Sequence, residues 1–303
     1  MLCSSRSLVA AVALGWLAFA LPASAEEVYA CGDGQVRAYE LDDGEPRETW
    51  RWTAAEAEDL PDLYRERLFR SIDECKSVNG GRSVLVTSSS DGVVLIDRES
   101  KAVRFRARSP MAHSAEFLPG DRVAVALSTH KDGNRLEVYD LSKNEEPLFH
   151  LELYSGHGVV WDAQRDRLFA LSFGMVQAFS LKDWDGPSPS LTETRHWTLP
   201  GEQGGHDLSR DPETGKYLVT TTDAAWWFNP DAENEADAFK PFPPLNPAPH
   251  VKSLELTTRR AVWVQAEESW WAFGFTVADR DGTNSRRVDV PDLHLYKARW
   301  VNP

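Results

Sequence analysis

Four short runs recur along this chain in the same order. "HSAEFLP" precedes "DRVAVALSTH", "NRLEVYDLS" and "PLFHLELY". "GHGVVWDAQ" precedes "DRLFALSF", "GMVQAFSL" and "ETRHWTLP", and "GHDLSRDPETG" precedes "KYLVTTTD", "AAWWFNP" and "AFKPFP". "VKSLELTTR" leads another such set, and "CKSVNGG" leads one upstream. The runs alternate polar and apolar residues and are rich in β-branched and aromatic side chains, which suits half-buried strands. Asp, Gly, Asn and Pro collect between them, as tight turns require. Four strands in about 45 residues bury their apolar faces only against neighbouring copies, so the expected fold is all-β, a β-propeller.

The two ends complete one another. "EVYACGD", "QVRAYELDDG" and "TWRWTA" match the second, third and fourth strands of a unit, and "YKARWVNP" matches a first strand. Joining them gives six blades, with the ring closed by a C-terminal strand that completes the N-terminal blade. Closure removes exposed strand edges. One segment, 54–74, falls outside the repeat; "DLYRERLFRSI" has helical spacing at Leu63, Leu68 and Ile72, which predicts a helical insert between blades 1 and 2.

Residues 1–25 read as a cleaved signal peptide: a basic residue, Arg6, then the apolar run "LVAAVALGWLAFAL" and the small-residue site "ASA". The domain expected after cleavage is 26–303, secreted or periplasmic, not membrane-spanning, and monomeric. The whole chain carries a formal net charge of −14, which argues against a nucleic-acid partner because that partner needs a basic footprint. Cys31 and Cys75 remain after cleavage. An even pair in an exported protein suggests a disulfide, and both fall at the same mouth of adjacent blades.

Aligning the first strands by hydrophobic register places a Lys or His at one position in every blade: Lys76, His113, His157, His206, Lys252 and Lys297. First strands line a propeller's channel, so these six should ring one mouth. A ring of like charge costs stability unless something anionic occupies it. The three imidazoles could instead hold a divalent metal ion, with the lysines facing a carboxylate, sulfate or phosphate. Loops at the same mouth carry Tyr154, Trp226 and Trp270, aromatic surfaces that suit a sugar ring. No phosphate-binding Gly-rich loop, zinc-protease helix or nucleophile elbow is present, and the catalytic residues are unknown.

On "HSAEF", "GHGVVWD" and "GHDLSRD" the chain resembles exported bacterial six-bladed propellers of the WD40-like and YVTN-like class, in particular a family of uncharacterised function. A more distant likeness is to propeller polysaccharide lyases such as oligogalacturonate lyase, in which channel histidines bind a divalent metal beside an acidic sugar. The expected function is binding of an anionic ligand, an acidic glycan or its fragment, at the Lys/His ring. The alternatives are a metal-dependent polysaccharide lyase or hydrolase at the same site, and a protein-interaction scaffold.

Overall fold

The computed structural model describes residues 26–41, 45–201 and 203–301; the expected signal peptide lies outside them. Six four-stranded antiparallel sheets form the blades. In blade 1 the strand Leu295–Trp300 pairs with Glu26–Gly32, which pairs in turn with Gln35–Leu41 and then Arg47–Thr53. Val28 lies opposite Trp300 and Cys31 opposite Lys297, so the last strand in chain order closes the ring on the first.

The innermost strands of blades 2 to 6 are Ile72–Val78, Ala112–Leu118, Gly158–Asp162, Asp207–Arg210 and Val251–Leu256. They and Leu295–Trp300 pack beside one another around the channel. Inner strands are buried almost throughout, whereas the outermost, such as Arg47–Thr53, are largely exposed. The two-residue period of a strand explains the packing. Val28 and Ala30 face blade 6, where they meet Val262, Val264 and Phe275. Tyr29 and Cys31 face blade 2, where they meet Val84 and Val86. Six apolar clusters result, one at each blade interface.

The hairpin turns use aspartate as anticipated from their composition. The Asp162 carboxylate accepts the backbone N–H groups of Gln164 and Arg165 at 2.9 and 3.1 Å, an Asx-type turn. The insert is less helical than its spacing predicts. It contains one 3-10 turn, Ala54–Glu56, and one π-helical turn, Tyr64–Leu68, and Ile72 already belongs to blade 2. Leu60, Tyr64, Leu68 and Phe69 pack into the interface of blades 1 and 2, while Leu63 is exposed. Tertiary burial, rather than a continuous helical face, holds this segment. The Cys31–Cys75 disulfide joins the same two blades across a Cα separation of 6.0 Å.

Candidate functional site

The channel geometry follows from β-bulges. In blades 2, 3 and 6 the ladder skips one residue of the inner strand, between Ile72 and Glu74, Ala112 and Ser114, and Val251 and Ser253. In blade 1, Gly32 pairs with Leu295 but Cys31 pairs with Lys297. The extra residues are Asp73, His113, Lys252 and Tyr296. In blades 4 and 5 the corresponding residues, His157 and His206, immediately precede the inner strand and donate their N–H groups to Leu171 and Thr220. A bulge re-aims a side chain, and here it lets two consecutive residues face the channel.

Three levels result. The upper ring runs Tyr296, Asp73, His113, His157, His206, Lys252. One residue further along each strand, the middle level runs Lys297, Glu74, Ser114, Gly158, Asp207, Ser253. Two residues below, the lower level runs Arg299, Lys76, Glu116, Val160, Ser209, Glu255. The six positions expected as one ring are therefore divided: His113, His157, His206 and Lys252 share the upper level, Lys297 lies one level down, and Lys76 is at the opposite end.

The middle level is a buried, charge-balanced plug. The Lys297 ammonium donates to Glu74 and Asp207 at 3.2 and 3.0 Å. The Arg299 guanidinium reaches up and grips the same carboxylates, at 2.7 and 2.9 Å to Glu74 and 2.8 and 2.5 Å to Asp207. Two cations face two carboxylates, all at most 1% exposed. The cationic partners hold Glu74 down at about 2 and Asp207 lower still, despite burial. At the lower level Lys76 meets Glu116 at 3.4 Å and the Val159 carbonyl at 2.5 Å.

Above the plug, Tyr296, Asp73, His113, His157 and His206 of the upper ring floor a cup of about 500 Å³, walled by Trp270, Trp271, His294 and, from the insert, Arg70 and Ser71; Lys252 does not line it. His113 and His157 lie with ring centroids 4.6 Å apart, and His157 and His206 5.7 Å apart. Carbonyl oxygens can only accept, so the contacts of His113 Nδ1 with Met111 O (3.0 Å) and of His157 Nδ1 with Ser155 O (2.9 Å) place the proton on Nδ1. Each Nε2 is then a lone-pair acceptor. Burial, with neighbouring histidines and lysines, holds His113 well below the ordinary value, His157 at about 4 and His206 at about 2. The imidazoles are neutral at physiological pH.

The other half of the ring donates. Burial pushes Asp73 up to about 8, so that its carboxyl keeps its proton at neutral pH, although it accepts the Ser89 N–H. Tyr296 is held well above its ordinary value by burial and nearby carboxylates, and its phenol stays neutral. Lys252 is fully buried, with its ammonium 3.1 Å from His206 Nε2 and 5.2 Å from the centre of the Trp270 ring. Burial alone lowers it to about 8. Around the ring, Lys252, Tyr296 and Asp73 form a donor arc, and His113, His157 and His206 form an imidazole arc.

Two of the three rings use Nδ1 on backbone carbonyls, and His206 gives Nε2 to Lys252. Among the described residues, no group of three or more His, Cys, Asp or Glu side chains is arranged to hold a metal ion. Sequence reasoning missed Asp73 and Tyr296 as ring members, and the walls contributed by Trp271, His294 and Arg70. The Asp33 carboxylate orients His294 through its Nδ1 at 3.1 Å.

The chain is similar in fold to a solved nidogen/laminin complex, with a TM-score of 0.63 at 12% identity over 91% of this chain and 98% of that one. No curated protein matches the chain. A family model described as a family of unknown function, DUF6528, matches residues 18–302. With six blades and a mouth built from one bulged or pre-strand residue per blade, the chain belongs to the DUF6528 family.

Proposed function

We propose that this exported propeller binds a hydroxylated carboxylic acid, such as an acidic sugar or the end unit of an acidic glycan, in the cup at the channel mouth. The observation that carries this reading is Lys252. Lys297 and Arg299 each meet two carboxylates and Lys76 meets one, whereas the buried Lys252 ammonium donates to a neutral imidazole. A buried cation without a carboxylate is costly, and a ligand carboxylate supplies the missing charge.

The rest of the ring fits the same ligand. Tyr296 and protonated Asp73 offer O–H donors beside Lys252, while the Nε2 atoms of His113 and His157 accept from ligand hydroxyls. Trp270 and Trp271 wall the cup and suit the apolar face of a pyranose. Lys252 lies behind His206 and beneath Trp270, so the carboxylate reaches it as the indole shifts aside. The Cys31–Cys75 disulfide agrees with an oxidising compartment, and no helix among the described residues is long and apolar enough to cross a membrane.

Titration calorimetry with glucuronate and with glucose tests the reading. Glucuronate should bind at least ~10-fold more tightly than glucose, and Lys252→Met should remove most of that preference, since a charge-assisted hydrogen bond contributes about 1.5–3 kcal/mol. Equal affinities, or a preference that survives Lys252→Met, would overturn it.

A further inference from the structure

We infer that the ligand is an oligosaccharide carrying a single terminal acid, whose following neutral units leave the cup across blade 4 and stack on Tyr154 and Phe173. This rests on the reading above and extends it to the ligand's length and charge. Four large hydrophobic side chains are exposed among the described residues: Leu63, Tyr154, Phe173 and Trp270. Leu63 belongs to the insert, and the three aromatic residues lie on loops at the cup end of blades 3, 4 and 6.

Tyr154 and Phe173 form a pair. Their ring centroids are 5.9 Å apart, and the Phe173 N–H donates to the Tyr154 carbonyl at 3.1 Å. They are 62% and 43% exposed, so both rings meet solvent. Backbone hydrogen bonds join the pair to the imidazole arc. The Phe173 carbonyl accepts the N–H groups of Gly204 and Gly205 at 2.8 and 3.1 Å, and the next residue is His206 of the imidazole arc. Gly204 has a φ of +114°, a conformation that favours glycine, and so the segment turns from beneath Phe173 into the ring.

Aromatic rings bordered by polar loops suit the C–H faces of sugars. A stable protein partner needs a contiguous contact of about 800 Å² on each side, whereas the exposed hydrophobics here sit singly or as one pair on separate blades. Charge then selects among sugars. Among the described residues, the cup-face loops of blades 4 and 5 ("YSG", "SFG", "LPG", "QGG" and "TTTDAA") contain no Lys or Arg but include Asp223. A polyuronate would bring further negative charge to these loops, and neutral units would not.

The test is calorimetric titration with two series: glucuronic acid alone or capping one, two and three neutral xylose units, and oligogalacturonates of equal length. Affinity should rise at least tenfold along the neutral series and stay flat along the oligogalacturonates. In a Tyr154→Ala/Phe173→Ala double variant the gain should vanish while glucuronate binds as it does to the wild type, which also shows that the variant is folded. A flat neutral series, a gain that survives the double substitution, or an equal gain with oligogalacturonates would overturn the inference and leave the cup reading standing. Failure of glucuronate itself to bind would overturn both.

Discussion

Lys252 donates to His206 Nε2 across 3.1 Å, and the imidazole that receives this bond has its own Nδ1 buried without a partner. Because an ammonium can only donate, the bond fixes Nε2 as the acceptor and puts the His206 proton on that unpaired Nδ1. One level further down the channel, Lys297 of blade 1 and Asp207 of blade 5 form an ion pair at 3.0 Å. Adjacent levels of one channel thus hold a cation in two different ways.

This contrast gives opposite expectations for two similar substitutions. Lys297→Met strips a buried cation from two carboxylates and should destabilise the fold by about 3–5 kcal/mol. Lys252→Met removes a buried charge that no carboxylate balances, and should change stability by less than about 1 kcal/mol or raise it. Urea unfolding of both variants and the wild type at pH 7 measures the difference.

Affinity for an anionic ligand should fall as pH rises through about 8. Lys252, lowered to about 8, loses its positive charge there, and Asp73, raised to about 8, gains a negative one. Both changes repel a carboxylate. Glucuronate titrations from pH 6 to 10 should show the fall, and in Asp73→Asn it should be shallower.

Asp73 also shapes stability. Its unfolded value is near 3.8 and its folded value is raised to about 8 by burial. Between those values the native state holds a proton that the unfolded chain has released, so stability declines as pH rises across the window. Asp73→Asn keeps the acceptor for the Ser89 N–H but cannot ionise. Its stability relative to the wild type should increase from pH 5 to about 8 and level off above, as read from denaturation midpoints. His157 and His206 act in the opposite sense: with folded values of about 4 and about 2, they cost stability as pH falls below 6.5.

Cys31 and Cys75 close a loop with a sequence separation of 44. Replacing both with serine should cost about 2–4 kcal/mol, a loop of this size lying in the middle of the usual range. Thermal unfolding with and without reductant checks this. The wild type should fall toward the double variant when reduced, and the variant should not respond.

The blades are legible in the sequence because each inner strand packs on both faces, which leaves a repeated apolar signature with turn residues at regular intervals. Closure is legible because the ends supply complementary parts of one repeat. The bulges are not. Nothing in "SIDECKSV" marks Asp73 as an extra residue, since a bulge changes hydrogen-bond register without changing composition. Hydrophobic alignment therefore puts Lys76 and Lys297 where the fold places Asp73 and Tyr296. The walls from Trp271 and Arg70 depend on how loops return over the mouth, which no local pattern encodes.

Closure of the ring by Leu295–Trp300 sets when the mouth can exist. Tyr296 of the donor arc and both cations of the plug, Lys297 and Arg299, come from the strand that is last in chain order. Until it docks beside Glu26–Gly32, Glu74 and Asp207 have no counterions and the upper ring has a gap. A chain interrupted before this strand therefore lacks part of both the donor arc and the plug.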